Sequence, residues 1–274
     1  MKTFRYLFLL LIIASIFSSC KKDEGLNIFS VKQDMEFGRQ MDSMIMANPS
    51  DYPVLDKAEY PEAYLHLDRV KDAILDSDDL NYDDKFVWKA RLIEDDEMLN
   101  AFATPGGYLY FYTGLIKYLD NESQFAGVMA HEICHADKRH STETMTKVYG
   151  ASILLNVLLG KDPSKLAEIA ADLALGLGSL KFSRNHEYEA DEYAVRYTYD
   201  TSYDPKGVAG FFIKLENEES AGRSPEFLST HPDPGNRVEE IIQHWENLGS
   251  RKLDENTEQM NLKNYNEFKN SLPE

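Results

Sequence analysis

His131-Glu132-Ile133-Cys134-His135 sets two imidazoles four residues apart. On a helix that spacing puts both on one face, about 5–6 Å apart between Cβ atoms. Such a pair can grip one zinc ion, and a carboxylate following the first histidine can take a proton from metal-bound water. A shuffled chain of this composition would contain the pattern roughly 0.015 times, so chance does not account for it. Val128, Met129 and Ala130 precede the motif, which argues against an exposed helix with incidental histidines. A catalytic zinc site needs a third protein ligand, and His186, Glu187, Glu189, Asp191 and Glu192 are the candidates. Glu187 and Asp191 share a helix face, so one can reach the metal while the other orients a liganding imidazole. Cys134 points roughly 60–100° away from the two histidines and reads as a core thiol.

Helices must carry these groups. Asp120 or Asn121 can cap a helix running to about Arg139, and another spans about Phe182 to Tyr199. Upstream, Ile28, Val31, Met35, Gly38, Met41, Met44 and Ile45 mark a helix face ended by Asn48-Pro49-Ser50. Pro61 opens a second helix with Tyr64, Leu65, Leu67, Val70, Ile74 and Leu75 on its apolar side. Between these and the metal-motif helix the period changes. Phe86–Ile93, Met98–Thr104 and Tyr108–Thr113 read as strands, with Pro105-Gly106-Gly107 as the turn between the last two. Three short neighbouring strands predict a small antiparallel sheet in a helix-rich α+β domain. Ala151–Gly160 and Leu166–Leu180 are expected to be buried helices. Pro205 opens a helix to about Glu216, and Val238, Ile241, Ile242 and Trp245 mark one after Pro234. From Gly249 the chain is polar and reads as a packed or loose tail.

Across 274 residues, 43% are hydrophobic and 12% aromatic, enough for a sizeable core and against disorder. The net charge of -18 has the wrong sign for nucleic-acid binding. With cysteines at positions 20 and 134, a disulfide scaffold is excluded. Residues 1–19 read as an export signal: Lys2 and Arg5 precede the apolar run Tyr6 to Phe17, which is too short for a permanent span. Ser18-Ser19 then leads into Cys20, an arrangement that resembles a bacterial lipoprotein signal with Cys20 as the lipidated mature N-terminus. Residues 20–274 would form a single domain with a short tether and a C-terminal tail. Removing 1–19 takes away two positive charges and leaves -18 - 2 = -20, so lipid rather than charge must hold the chain at an anionic membrane.

Taken together, the zinc motif, Ser183-Arg-Asn-His-Glu187-Tyr-Glu-Ala-Asp191, Ser229-Thr-His231-Pro232 with Arg237, and Asn100–Gly107 resemble metallopeptidase family 48. The resemblance covers roughly Ser30 to Ile242. It implies a zincin-like domain in which His131, His135 and Glu187 bind one Zn2+, Glu132 is the general base and Asp191 supports a ligand from behind. It further implies that His231 and Arg237 lie near the reacting centre, contacting substrate or the oxyanion. His231 sits among turn formers, Pro232, Asp233, Pro234 and Gly235, so it can approach the open zinc position or withdraw from it. The strand from Asn100 would offer its edge to an extended peptide. The implied activity is zinc-dependent endopeptidase action on misfolded or unassembled proteins of the bacterial cell envelope. The implied partners are polypeptide substrates and, through the N-terminal lipid, the outer membrane. A chaperone-like binding module with little proteolysis is the alternative; the full set of ligands and base disfavours it.

Overall fold

The computed structural model describes residues 25–151, 181–220, 226–232 and 235–274, with Leu154, Leu158, Glu168 and Ile169. The leader, Cys20 and most of the two helices expected within 151–180 lie outside these residues. Ser30 caps α1 (Val31–Met46): its hydroxyl accepts from the Gln33 amide while the Gln33 side chain reaches back, a reciprocal capping box. Pro61 opens α2 (Pro61–Leu75), where its missing N–H costs nothing. Ala63, Tyr64, Leu67, Val70 and Ile74 of α2 point inward, whereas Leu65, one step of about 100° off that stripe, faces solvent.

β1 (Lys89–Ile93), β2 (Ala101–Thr104) and β3 (Tyr108–Tyr112) form one sheet in the order β1-β3-β2. It is mixed rather than antiparallel: β3 pairs antiparallel with β2 and parallel with β1. The burial of β3 explains its central place. All five residues of Tyr108-Leu-Tyr-Phe-Tyr112 are buried, so the strand with two covered faces takes the centre and leaves β2 at an edge. Gly106 and Gly107, at φ 79° and 88°, make the turn that doubles β2 back onto β3.

After α3 (Thr113–Tyr118), the central helix α4 (Glu122–Asp137) begins at Asn121, whose side chain accepts from the Gln124 amide. Every residue of α4 except Gln124 is buried, the mark of a helix covered on all sides. It packs chiefly against α6 (Arg184–Tyr199) and α7 (Gly207–Ser220). At Gly127 a Cβ would lie 2.3 Å from the Val208 backbone nitrogen, so only glycine lets α7 come this close. Arg139, in the left-handed region at φ 63°, breaks the chain between α4 and α5 (His140–Tyr149). Beyond α6 and α7 come α8 (Phe227–Thr230), α9 (Arg237–Asn247) and α10 (Glu255–Asn270).

The expected tail carries that last helix, packed on the domain. Asp254 caps it by accepting from the Asn256 and Thr257 amides. Tyr265 and Phe268 are fully buried against α2 and α4, and the Tyr265 hydroxyl donates to the Ile116 carbonyl at 2.7 Å. Among the described residues no helix is long and apolar enough to cross a membrane.

Candidate metal centre

Three elements deliver the site. Helix α4 presents His131 and His135 one turn apart on its inner face. Ser183 caps α6 by accepting from the His186 amide, which fixes Glu187 in the first turn, where the helix dipole favours a carboxylate. Helix α8 ends at His231, whose N–H donates to the Phe227 carbonyl at 3.0 Å. The Phe227 ring stacks on the His231 imidazole at 4.2 Å and 14°.

His131, His135, Glu187 and His231 are all buried, and among the described residues theirs is the group whose ligand atoms lie within 4.8 Å of one another. His131 Nε2 is 3.0 Å from His135 Nε2 and 3.4 Å from His231 Nδ1. Glu187 Oε1 lies 3.3 Å from His231 Nδ1 and 3.7 Å from His135 Nε2, and Glu187 Oε2 lies 3.5 Å from His131 Nε2. Zinc bonded at 2.0–2.1 Å in a tetrahedron separates its donors by about 3.3 Å, so these spacings suit one shared ion. Two facts besides spacing support that fit. Glu187 Oε1 and both Glu132 carboxylate oxygens are buried with no hydrogen-bond partner among the described residues, a costly state that a cation and its water would relieve. The field is also that of a cation site. Burial pushes the His131 imidazole down, yet Asp191 and Glu187 outweigh it and hold the group at about 9. Burial also opposes a charged Glu187, but His231 and His131 hold it well below the usual carboxylate range.

Glu132 sits beside this group, fully buried, with Oε1 3.5 Å from His231 Nε2. Burial pushes its carboxyl up, the direction a general base needs to hold a proton in transit. His131 Nδ1 is 3.0 Å from Asp191 Oδ1, so Asp191 backs the first ligand.

Arg237 lies beside the ligand group, where the resemblance placed it. Its guanidinium is buried and aimed at the carboxylates: Nε and Nη2 donate to Asp191 at 2.9 and 2.7 Å, and Nη2 to Glu187 Oε2 at 3.3 Å. It also lies over the Phe212 ring, 3.3 Å from the centroid. This arrangement lets Arg237 hold Asp191 and Glu187 in place. Truncating it would remove the buried guanidinium that Asp191 and Glu187 share. Arg237→Leu is therefore expected to cost about 3–5 kcal/mol in denaturant unfolding, against under about 1 kcal/mol for an exposed pair.

The other acidic candidates separate by position. His186 turns from the metal group to Glu143 Oε1, 3.1 Å away, and Glu189 faces His140. Glu192 pairs with Arg196. Cys134 is a buried thiol donating to the Glu189 carbonyl, and burial pushes its pKa up. His140 escaped the sequence reading, although its place five residues beyond His135 was visible. Its Nδ1 lies 2.9 Å from His135 Nδ1.

Fold and site together define a metallopeptidase domain. The sequence profile of peptidase family M48 matches residues 61–245, and the chain belongs to that family. It is 36% identical over 157 residues to the beta-barrel assembly-enhancing protease of Escherichia coli (strain K12), covering 54% of this chain and 32% of the relative. It is 31% identical over 152 residues to the mitochondrial metalloendopeptidase OMA1 of Arabidopsis thaliana, covering 56% and 30%. The counterpart in Schizosaccharomyces pombe (strain 972 / ATCC 24843) is 30% identical over 156 residues, covering 56% and 45%. The chain thus spans about a third to under half of the length of these relatives.

Proposed function

We propose that the chain is a zinc metalloendopeptidase of the bacterial cell envelope that cleaves misfolded or unassembled polypeptides. The observation that carries this reading is the convergence of His131, His135 and Glu187 beside the buried carboxylate of Glu132. Metalloendopeptidases and a beta-barrel assembly-enhancing protease among the relatives support the reaction class and the kind of substrate. Bound zinc would supply Lewis-acid polarisation of the scissile carbonyl and an acidified water. Glu132 takes the water's proton and returns it to the departing amine, a role suited to a carboxylate whose burial favours the protonated form. Asp191, held by Arg237, fixes the His131 ring, so the ligands need little reorganisation during reaction.

Substrate enters along β2. As the edge strand it can pair with an extended peptide through main-chain hydrogen bonds, which selects unfolded segments rather than a particular sequence. Phe102, Ala103 and Thr104 of β2 share a small cleft with Phe182, Thr230 and His231, so a peptide on this edge runs past the metal donors. Reduced casein offers such segments. Cleavage that stops on chelation and returns with added zinc supports the activity; cleavage indifferent to chelation would overturn it.

The anchor belongs to the same reading. Ser18-Ser19-Cys20 after a short apolar run makes Cys20 the lipidated mature N-terminus, and lipid rather than charge holds the acidic chain at an anionic surface. Mass spectrometry of the N-terminal peptide from membranes is expected to find acylated Cys20. An unmodified Cys20, or a different mature N-terminus, would contradict the anchor.

A further inference from the structure

The two ligand imidazoles of α4 are supported from behind in different ways. Behind His131 stands Asp191, a fully buried carboxylate. Behind His135 stands another imidazole: His140 Nδ1 is 2.9 Å from His135 Nδ1, and His140 Nε2 is 3.1 Å from Glu189 Oε2. His140 is buried, whereas the Glu189 side chain is 44% exposed. Packing fixes both rings. His140 lies flat on His186 at 4.3 Å and 9°, with His186 Nε2 3.1 Å from Glu143 Oε1. His135 lies flat on Phe182 at 3.9 Å and 18°.

A neutral imidazole has one N–H and one lone pair, which gives the chain a direction. His135 must turn the Nε2 lone pair toward the metal, so its proton is on Nδ1. That proton can be donated only if His140 Nδ1 accepts, so His140 carries its own proton on Nε2 and donates it to Glu189. We infer that His140 and Glu189 form a positioning relay that fixes the tautomer and ring orientation of His135 as a metal ligand. The backward break at Arg139, φ 63°, builds the relay, because it starts α5 at His140 and returns that residue to the α4 face carrying His135. His135 thereby takes its carboxylate at one remove, through a ring that keeps the charge of Glu189 at the surface.

This inference rests on the zinc-site reading, and one set of measurements separates the two. Zinc affinity is measured by competition with a chelating dye on wild type, His140→Phe, His140→Asn and Glu189→Leu, each checked by circular dichroism. Phenylalanine keeps the stack on His186 and removes the acceptor; it is expected to weaken zinc about 10–100-fold. The Oδ1 of asparagine stands where Nδ1 stood, so His140→Asn should recover most of that loss. Glu189→Leu removes the far end at a half-exposed position and should weaken zinc about tenfold. Equal affinity in wild type and His140→Phe would overturn the relay, as would asparagine no better than phenylalanine. If His140→Phe fails to fold, Glu189→Leu decides, and unchanged affinity there overturns the relay. A wild type that binds no zinc would instead overturn the site reading.

Discussion

Glu132→Gln is expected to lower casein cleavage about 10²–10⁴-fold, the range that a positioned base contributes, while zinc content stays at the wild-type level. Glutamine has nearly the shape of glutamate and the residue is not among the converging donors, so metal retention and loss of turnover should separate cleanly. The same change should not destabilise the fold. Burial raises the Glu132 carboxyl above its unfolded value, so the site favours the protonated form. That contribution is present below the unfolded-state value and is lost as pH rises through the folded-state value, above which the buried carboxyl costs stability. Zinc-free Glu132→Gln should therefore unfold at the same temperature as zinc-free wild type or higher, an instance of stability given up for activity. Retained cleavage would move the base elsewhere.

His231→Ala is expected to raise basal cleavage about tenfold. His231 Nδ1 stands 3.4 Å from His131 Nε2 and 3.3 Å from Glu187 Oε1, at the corner that a catalytic site leaves open for water. Its ring, buried and stacked on Phe227, is placed to fill that corner at rest. If about one molecule in ten has the corner open, apparent affinity for substrate falls by that same factor, and removing the imidazole restores it. The gain should appear mainly as a lower KM, with zinc still held by His131, His135 and Glu187. A fall in kcat at unchanged zinc content would instead make His231 a support for the transition state.

The candidate site was legible because the chemistry it would do demands residue types at short range. His131, Glu132 and His135 lie within one helical turn, and Glu187 and Asp191 share a face of one later helix, so local spacing brought each set together. The roles of His231 and Arg237 depend on how distant segments pack. Proximity of Arg237 to the centre was foreseeable, but its grip on Asp191 and Glu187 was not, because no local spacing relates α9 to α6. The sheet differs in one pairing for a related reason: alternation identifies strands but not the direction in which they pair, and β1 runs parallel to β3. In α10 the inward stripe is Asn261, Tyr265 and Phe268, at helical spacing but with a polar first member, while Met260 and Leu262 face solvent. The cap at Asp254 was the stronger signal of that helix. His140 was hidden by the break at Arg139, which turns the chain back on itself.

The zinc content of the purified chain, measured by inductively coupled plasma mass spectrometry beside His131→Ala, tests the central claim most directly. About one zinc per chain in wild type, and a loss of most of it in the variant, is the predicted result. Full retention of zinc in His131→Ala would contradict a site built on His131, His135 and Glu187.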